Sequence, residues 1–138
     1  MLNPAPICLL ALALTIAAGL ARADEAIRYN YMLHCQGCHL ADGTGHEPAV
    51  PSLVNRLGRM LAVPDGRAFM VQVPGTSQAP LSDQEVADLL NWLLENFNRD
   101  SLAEGFVPYT SDEIASLRVQ SSGNIAERRE QIIAAMEE

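Results

Sequence analysis

Residues 33–45 read LHCQGCHLADGTG, and within them Cys35, Cys38 and His39 form a Cys-x-x-Cys-His run. Three chemistries use cysteines at this spacing: a redox dithiol, a metal site, and thioether attachment of a haem. A thioredoxin-like dithiol opens a helix after a strand in an α/β unit, and no strand-period run precedes Cys35. Structural zinc takes four ligands, often from two separated pairs. This chain has no second cysteine pair, and a set made of Cys35, Cys38, His39 and either His34 or His46 would be cramped. Two thiols at this spacing can add to the two vinyl groups of one haem. The histidine directly after the second thiol then lies under the iron, which makes Cys-x-x-Cys-His the attachment signature. The run therefore predicts one covalent haem c on Cys35 and Cys38, with His39 as an axial iron ligand. His34 reads as a partly exposed neighbour.

The elements around this run read as helical. DEAIRYNYML leads straight into it, with Ile27, Tyr31 and His34 on one face at helical spacing. DGTGHEPAVP is a loop rich in Gly and Pro. SLVNRLGRMLAV forms a short helix with Leu53, Leu57, Met60 and Leu61 inward, broken by Pro64-Asp65-Gly66. Arg67 to Val73 form a second, stopped by Pro74-Gly75. Ser82-Asp83-Gln84-Glu85 is a capping box that opens VADLLNWLLENF, whose stripe is Val86, Leu89, Leu90, Leu93 and Leu94. Thr110 to Glu113 form a second capping box, and NIAERREQIIAAMEE is a last amphipathic segment.

The N-terminus sets the expected compartment. Ile7 to Leu20 are uncharged and apolar, but too few for a membrane span of roughly 20 residues. Ala21-Arg22-Ala23 then matches an A-x-A cleavage pattern before Asp24-Glu25. This reads as a secretory signal peptide over residues 1–23, which places the protein in the periplasm. The departure is MLNPAP, which has no Lys or Arg, and an uncleaved anchor is the alternative. Cys8 leaves with the signal. What remains has eight Arg, no Lys and 17 Asp plus Glu, a net charge of −9. That excludes nucleic acid, whose phosphates need a basic surface. An electrostatically steered partner would present a basic patch.

Over residues 24–98 the chain resembles the small class I c-type cytochromes. Tyr31 matches the family's aromatic in its first helix, and C-Q-G-C-H-L-A-D-G-T-G is close to its usual run. Pro51-Ser52-Leu53 resembles its Pro-x-Leu loop, and VADLLNWLL resembles its terminal helix, with Trp92 at the aromatic position. The resemblance implies an all-α domain around a covalent haem, with Tyr31 and Trp92 close together. It also implies a proline carbonyl behind His39, with Pro51 as the acceptor and Pro48 as the weaker candidate. Such a partner fixes a ligating imidazole and raises its basicity.

The family's distal methionine, in a Met-Pro pair before Leu-Ser-x-x-Glu, is absent: Ala79-Pro80 stands there. Met70 is the first candidate for the distal ligand, Met60 the second and His46 the third. An iron with no distal protein ligand is the other outcome. Arg56, Arg59 and Arg67 are candidate partners for the haem propionates, because Arg pairs well with carboxylates.

The reading is a monohaem electron-transfer protein, not an independent enzyme, since no acid–base pair or activated nucleophile is visible. The resemblance implies that it shuttles single electrons between a periplasmic dehydrogenase and a downstream acceptor, with a periplasmic dehydrogenase or oxidase as its redox protein partner. Two alternatives are a small-ligand binder or sensor with an open distal site, and a fixed subunit of a larger dehydrogenase. Residues 99–138 form a C-terminal helical extension, expected to pack on the domain or a partner through Ile114, Leu117, Ile125, Ile132, Ile133 and Met136. It is expected to stay away from the iron, so that truncation after Asn98 leaves the haem spectrum intact.

Overall fold

The computed structural model describes residues 22–120 and 123–137. The signal-peptide expectation falls outside them, apart from Arg22 and Ala23. Among the described residues eight helices follow in order: α1 (22–34), α2 (Gln36–His39), α3 (Leu57–Leu61), α4 (Gly66–Gln72), α5 (Pro74–Ser77), α6 (Asp83–Phe97), α7 (Ser111–Arg118) and α8 (Ile125–Met136). An isolated bridge between His46 and Val50 is the one β contact among them. The architecture is all-α, as expected.

The longest helix, α6, starts where the capping box places it. Ser82 Oγ accepts from the Glu85 amide, and the Glu85 carboxylate accepts from the Ser82 amide at 2.8 Å. Two otherwise unpaired amide donors are thereby satisfied. The expected stripe of Val86, Leu89, Leu90, Leu93 and Leu94 is buried. On α1, Tyr31 is buried and Ile27 packs against the core one turn earlier. The two helices meet in an aromatic cluster: the Tyr31 ring lies 5.5 Å from both Trp92 and Phe97, and those two lie 5.4 Å apart. The last two contacts are edge-on, the geometry ring quadrupoles favour. Tyr31 also donates to the Leu40 carbonyl at 2.6 Å. Burial pushes its pKa up to about 12, with Cys35 and Asp42 adding to the effect. Gly43 closes the loop beneath this cluster. Its φ of +78° is left-handed, and a Cβ there would meet the Phe97 ring at 2.8 Å, so only glycine fits on both counts.

Between these helices the chain is tighter than its sequence suggests. α3 covers only Leu57–Leu61, with Leu57 and Met60 buried and Leu53 in the preceding loop. Pro74-Gly75 ends α4 but also opens the single turn α5. Proline suits the first helical position, where its missing N–H costs nothing. Asn98 ends α6 and is fully buried. Its Oδ1 accepts from the Gly58 amide at 3.2 Å, and its Nδ2 donates to the Leu93 carbonyl at 3.0 Å. Asn98→Ala should therefore cost about 2–4 kcal/mol, because a buried amide and a buried carbonyl lose their partners. A melt within a degree of the parent would contradict this.

The C-terminal extension packs on its own domain. Ile114 is 0% and Ile132 3% exposed, and Leu117, Ile125 and Met136 lie against the same core. Arginine–carboxylate pairs tie it down: Arg67–Glu113, Arg118–Asp83 and Arg128–Asp65. The second capping box is only half formed. Thr110 accepts from the Glu113 amide, but the Glu113 carboxylate makes two bonds to Arg67. Arg67 in turn lies 4.0 Å above the Tyr109 ring. A bidentate charged pair outcompetes a bond to one neutral amide.

Candidate cofactor cleft

The Cys-x-x-Cys-His run is one tight turn. The amides of Cys38 and His39 both bond to the Cys35 carbonyl, at 3.1 and 2.9 Å. Cys35 is half-buried and faces a cavity, whereas Cys38 is exposed. Burial, with Cys38 as a smaller cause, pushes the Cys35 thiol up to about 11. A dithiol catalyst needs the opposite, a thiol poised as thiolate near neutral pH.

His39 lines the same cavity. Its Nδ1 lies 3.1 Å from the Pro51 carbonyl oxygen, which can only accept, so Nδ1 carries the proton. Burial holds the imidazole below the usual histidine range; the Pro51 carbonyl opposes this and Arg129 reinforces it. The neutral ring therefore offers Nε2 as its free lone pair, the form that ligates a metal. Pro51 is the residue at this contact, and Pro48 is exposed.

The cavity holds about 250 Å³ and is partly open to solvent. Loop residues Pro51, Ser52 and Leu53, together with Cys35 and His39, form part of its wall. Leu57, Met60, Phe69, Met70, Val73, Leu90 and Leu93 add the apolar lining, with Gly75 and Thr76 beside them. Met60 and Met70 are thus both brought to the cleft, 7% and 5% exposed. His46, the third candidate, is exposed and is not on this wall. Ala79 borders a second cavity of about 30 Å³ beside the first, with His34, Cys35, Gly75 and Thr76 on both walls.

Of the three arginines expected near the cleft, only Arg56 lines it, and it pairs with Glu47 at 3.2 Å. Arg59 is exposed and off the wall. Arg67 is turned away by Glu113. In their place α8 contributes Arg129 and Ile133 to the wall. The extension, expected to pack on the domain and to stay away from the iron, thus forms part of the cleft wall. Nothing in its sequence shows which side of α8 meets the cleft, because its apolar residues alone do not reveal their target.

Among the described residues, no group of three or more His, Cys, Asp or Glu side chains converges as a metal cage, so the cramped zinc set is not assembled. An apolar cleft, a thiol pair on one turn, a neutral imidazole and two arginines suit a flat, apolar, anionic iron cofactor with one edge in solvent. On an all-α frame this is the arrangement of a c-type cytochrome.

Comparison with known proteins agrees. The chain is 30% identical over 130 residues to a cytochrome c-552 of Thermus thermophilus, covering 81% of this chain and 86% of that protein. It is 29% identical over 117 residues to a further cytochrome c-552 of the same species, covering 72% and 87%. No protein-family model matches. With this likeness across most of both chains, the protein belongs to the c-type cytochromes, electron-transfer proteins whose cofactor is covalent haem c.

Proposed function

We propose that this is a monohaem cytochrome of the class I type, holding its haem by thioethers to Cys35 and Cys38 and ligating the iron through His39 Nε2. Each thiol adds across one vinyl double bond, sulfur to one carbon and hydrogen to the other. The observation that carries the reading is the His39–Pro51 contact on the wall of the cleft, directly after the cysteine turn. It fixes the tautomer and aims the imidazole before any iron is present. The haem supplies the redox chemistry; the chain sets its potential and access. Met70 is the proposed distal ligand and Met60 the second candidate. Single electrons pass through the exposed haem edge, from a periplasmic dehydrogenase toward a downstream acceptor. No helix of the described residues is long and apolar enough to cross a membrane.

Mass spectrometry tests the attachment. Protein made with a c-type maturation system should carry one haem that survives denaturation. Cys35→Ser and Cys38→Ser should each leave at most one thioether, and the double variant none. A bare-chain mass for the unmodified protein would overturn the reading.

A small-ligand binder is the second reading. It is favoured by Ala79 at the family's methionine position and by the small cavity that Ala79 borders. It requires high-spin ferric iron and fast carbon monoxide binding in the unmodified protein. A fixed dehydrogenase subunit was suggested by the extension, of which Ile114, Leu117, Ile125, Ile132 and Met136 pack against their own domain while Val107 and Val119 are exposed.

A further inference from the structure

The charge on the cleft wall runs against the charge of the chain. The sequence holds 17 Asp plus Glu against nine Arg. Yet the wall carries Arg56 and Arg129 and not one carboxylate. Arg56 reaches outward to Glu47. Arg129 forms no hydrogen bond or ion pair with any described residue. Its neighbour Arg128 holds both carboxylate oxygens of Asp65 and the Gln72 side chain, at 2.7–2.8 Å. Ile132 is buried, and Ile133, one turn beyond Arg129, faces the same cleft. α8 is thus anchored on either side of Arg129, whose side chain lines the cavity. A cation held at an apolar wall, with no internal counter-ion, calls for an anionic group on whatever fills the space.

We infer that Arg129 is a cofactor-binding residue, pairing with a propionate carboxylate of the haem so that the C-terminal helix closes the cleft. The inference rests on the haem reading above. A guanidinium suits the task, because it can meet both carboxylate oxygens in one plane. The pair also places a fixed positive charge close to the iron. That charge favours the ferrous state, which carries one positive charge less, by simple Coulomb attraction.

The test uses the full-length holoprotein and its midpoint potential. Arg129→Gln should lower the potential, and Arg129→Lys, which keeps the charge, should restore most of the difference. Arg59→Gln, exposed and off the wall, should leave it unchanged. A role confined to packing would not distinguish Lys from Gln in this way. A potential in Arg129→Gln equal to the parent's would overturn the assignment. Should that variant fail to accumulate, proton NMR of the unmodified ferrous protein decides, with carbon monoxide bound if the iron accepts it. Arg129 side-chain protons should show contacts to a propionate methylene, and their absence would overturn the inference. Mass spectrometry of the same samples separates the two levels. A bare-chain mass removes the haem reading and this proposal with it, whereas an intact haem with an unshifted potential removes only the proposal.

Discussion

Changing Met70 to leucine is expected to remove the far-red band of methionine-ligated ferric haem and to lower the midpoint potential, while Met60→Leu leaves both nearly unchanged. Leucine is the better probe than alanine. Both methionines are buried in one core, and truncating either to alanine should cost about 2–5 kcal/mol, so a loss of stability would not tell them apart. A volume-conserving exchange usually costs less than about 1.5 kcal/mol, so the spectrum then reports ligation. Both sulfurs belong to cleft-lining side chains, but their surroundings differ. Met60 packs over Gly66, where a Cβ would clash with the Met60 carbonyl oxygen and stand 3.2 Å from Met60 Cγ. Met70 sits on α4, which leads directly into the Gly75–Thr76 stretch of the wall. A thioether ligand raises the potential relative to stronger donors or an open site, so its loss should shift both observables together. An unaltered spectrum in Met70→Leu would eliminate Met70. High-spin ferric iron in the parent would eliminate both methionines and favour the small-ligand reading.

What the sequence revealed about this site follows from how local each signal is. The cysteine turn, the Ser82 capping box and the α6 stripe are written within a few residues of where they act, and the structure forms them. Tyr31 and Trp92 are distant in sequence, but family likeness expected them together and their rings meet at 5.5 Å. Other features were decided by competition that no local pattern records. Glu113 is positioned to complete a capping box, yet a guanidinium from α4 takes it. That one contact explains both the half-formed box and the absence of Arg67 from the cleft. Arg129 stands far along the chain from His39 and follows another arginine. Only the packing of α8 shows that Arg128 is structural and Arg129 faces the cavity.

Truncation after Asn98 is expected to destroy the normal haem site, contrary to what the boundary of family resemblance suggests. The deleted segment contributes Tyr109, Ile114 and Ile132, each at most 3% exposed. Burying such side chains stabilises by about 1.5–3 kcal/mol apiece. Three of them approach the whole net stability of a typical domain, about 5–15 kcal/mol. Their removal would also uncover the α4 and α6 surfaces that they cover. Polar losses act on the cleft more directly. Arg118 donates to the carbonyls of Ser77, Ala79 and Leu81 and to the Asp83 carboxylate, at 2.8–3.2 Å. It thereby holds the segment from α5 to the start of α6, which walls the small second cavity through Ala79 and Leu81. Without it, those carbonyls must find water and the segment loses its fixed path. Arg118→Ala is the milder form of the experiment. It should keep the haem attached but lower the melting temperature and broaden the spectrum's ligand-sensitive features, because the wall is loosened while Ile114 and Ile132 stay buried. The truncated chain should go further, losing the parent spectrum together with cooperative melting. A truncated protein that melts cooperatively within a few degrees of the parent, with its spectrum unchanged, would show that residues 99–138 merely rest on a domain complete without them. It would also show that Arg129 and Ile133 contribute nothing to the cleft they line.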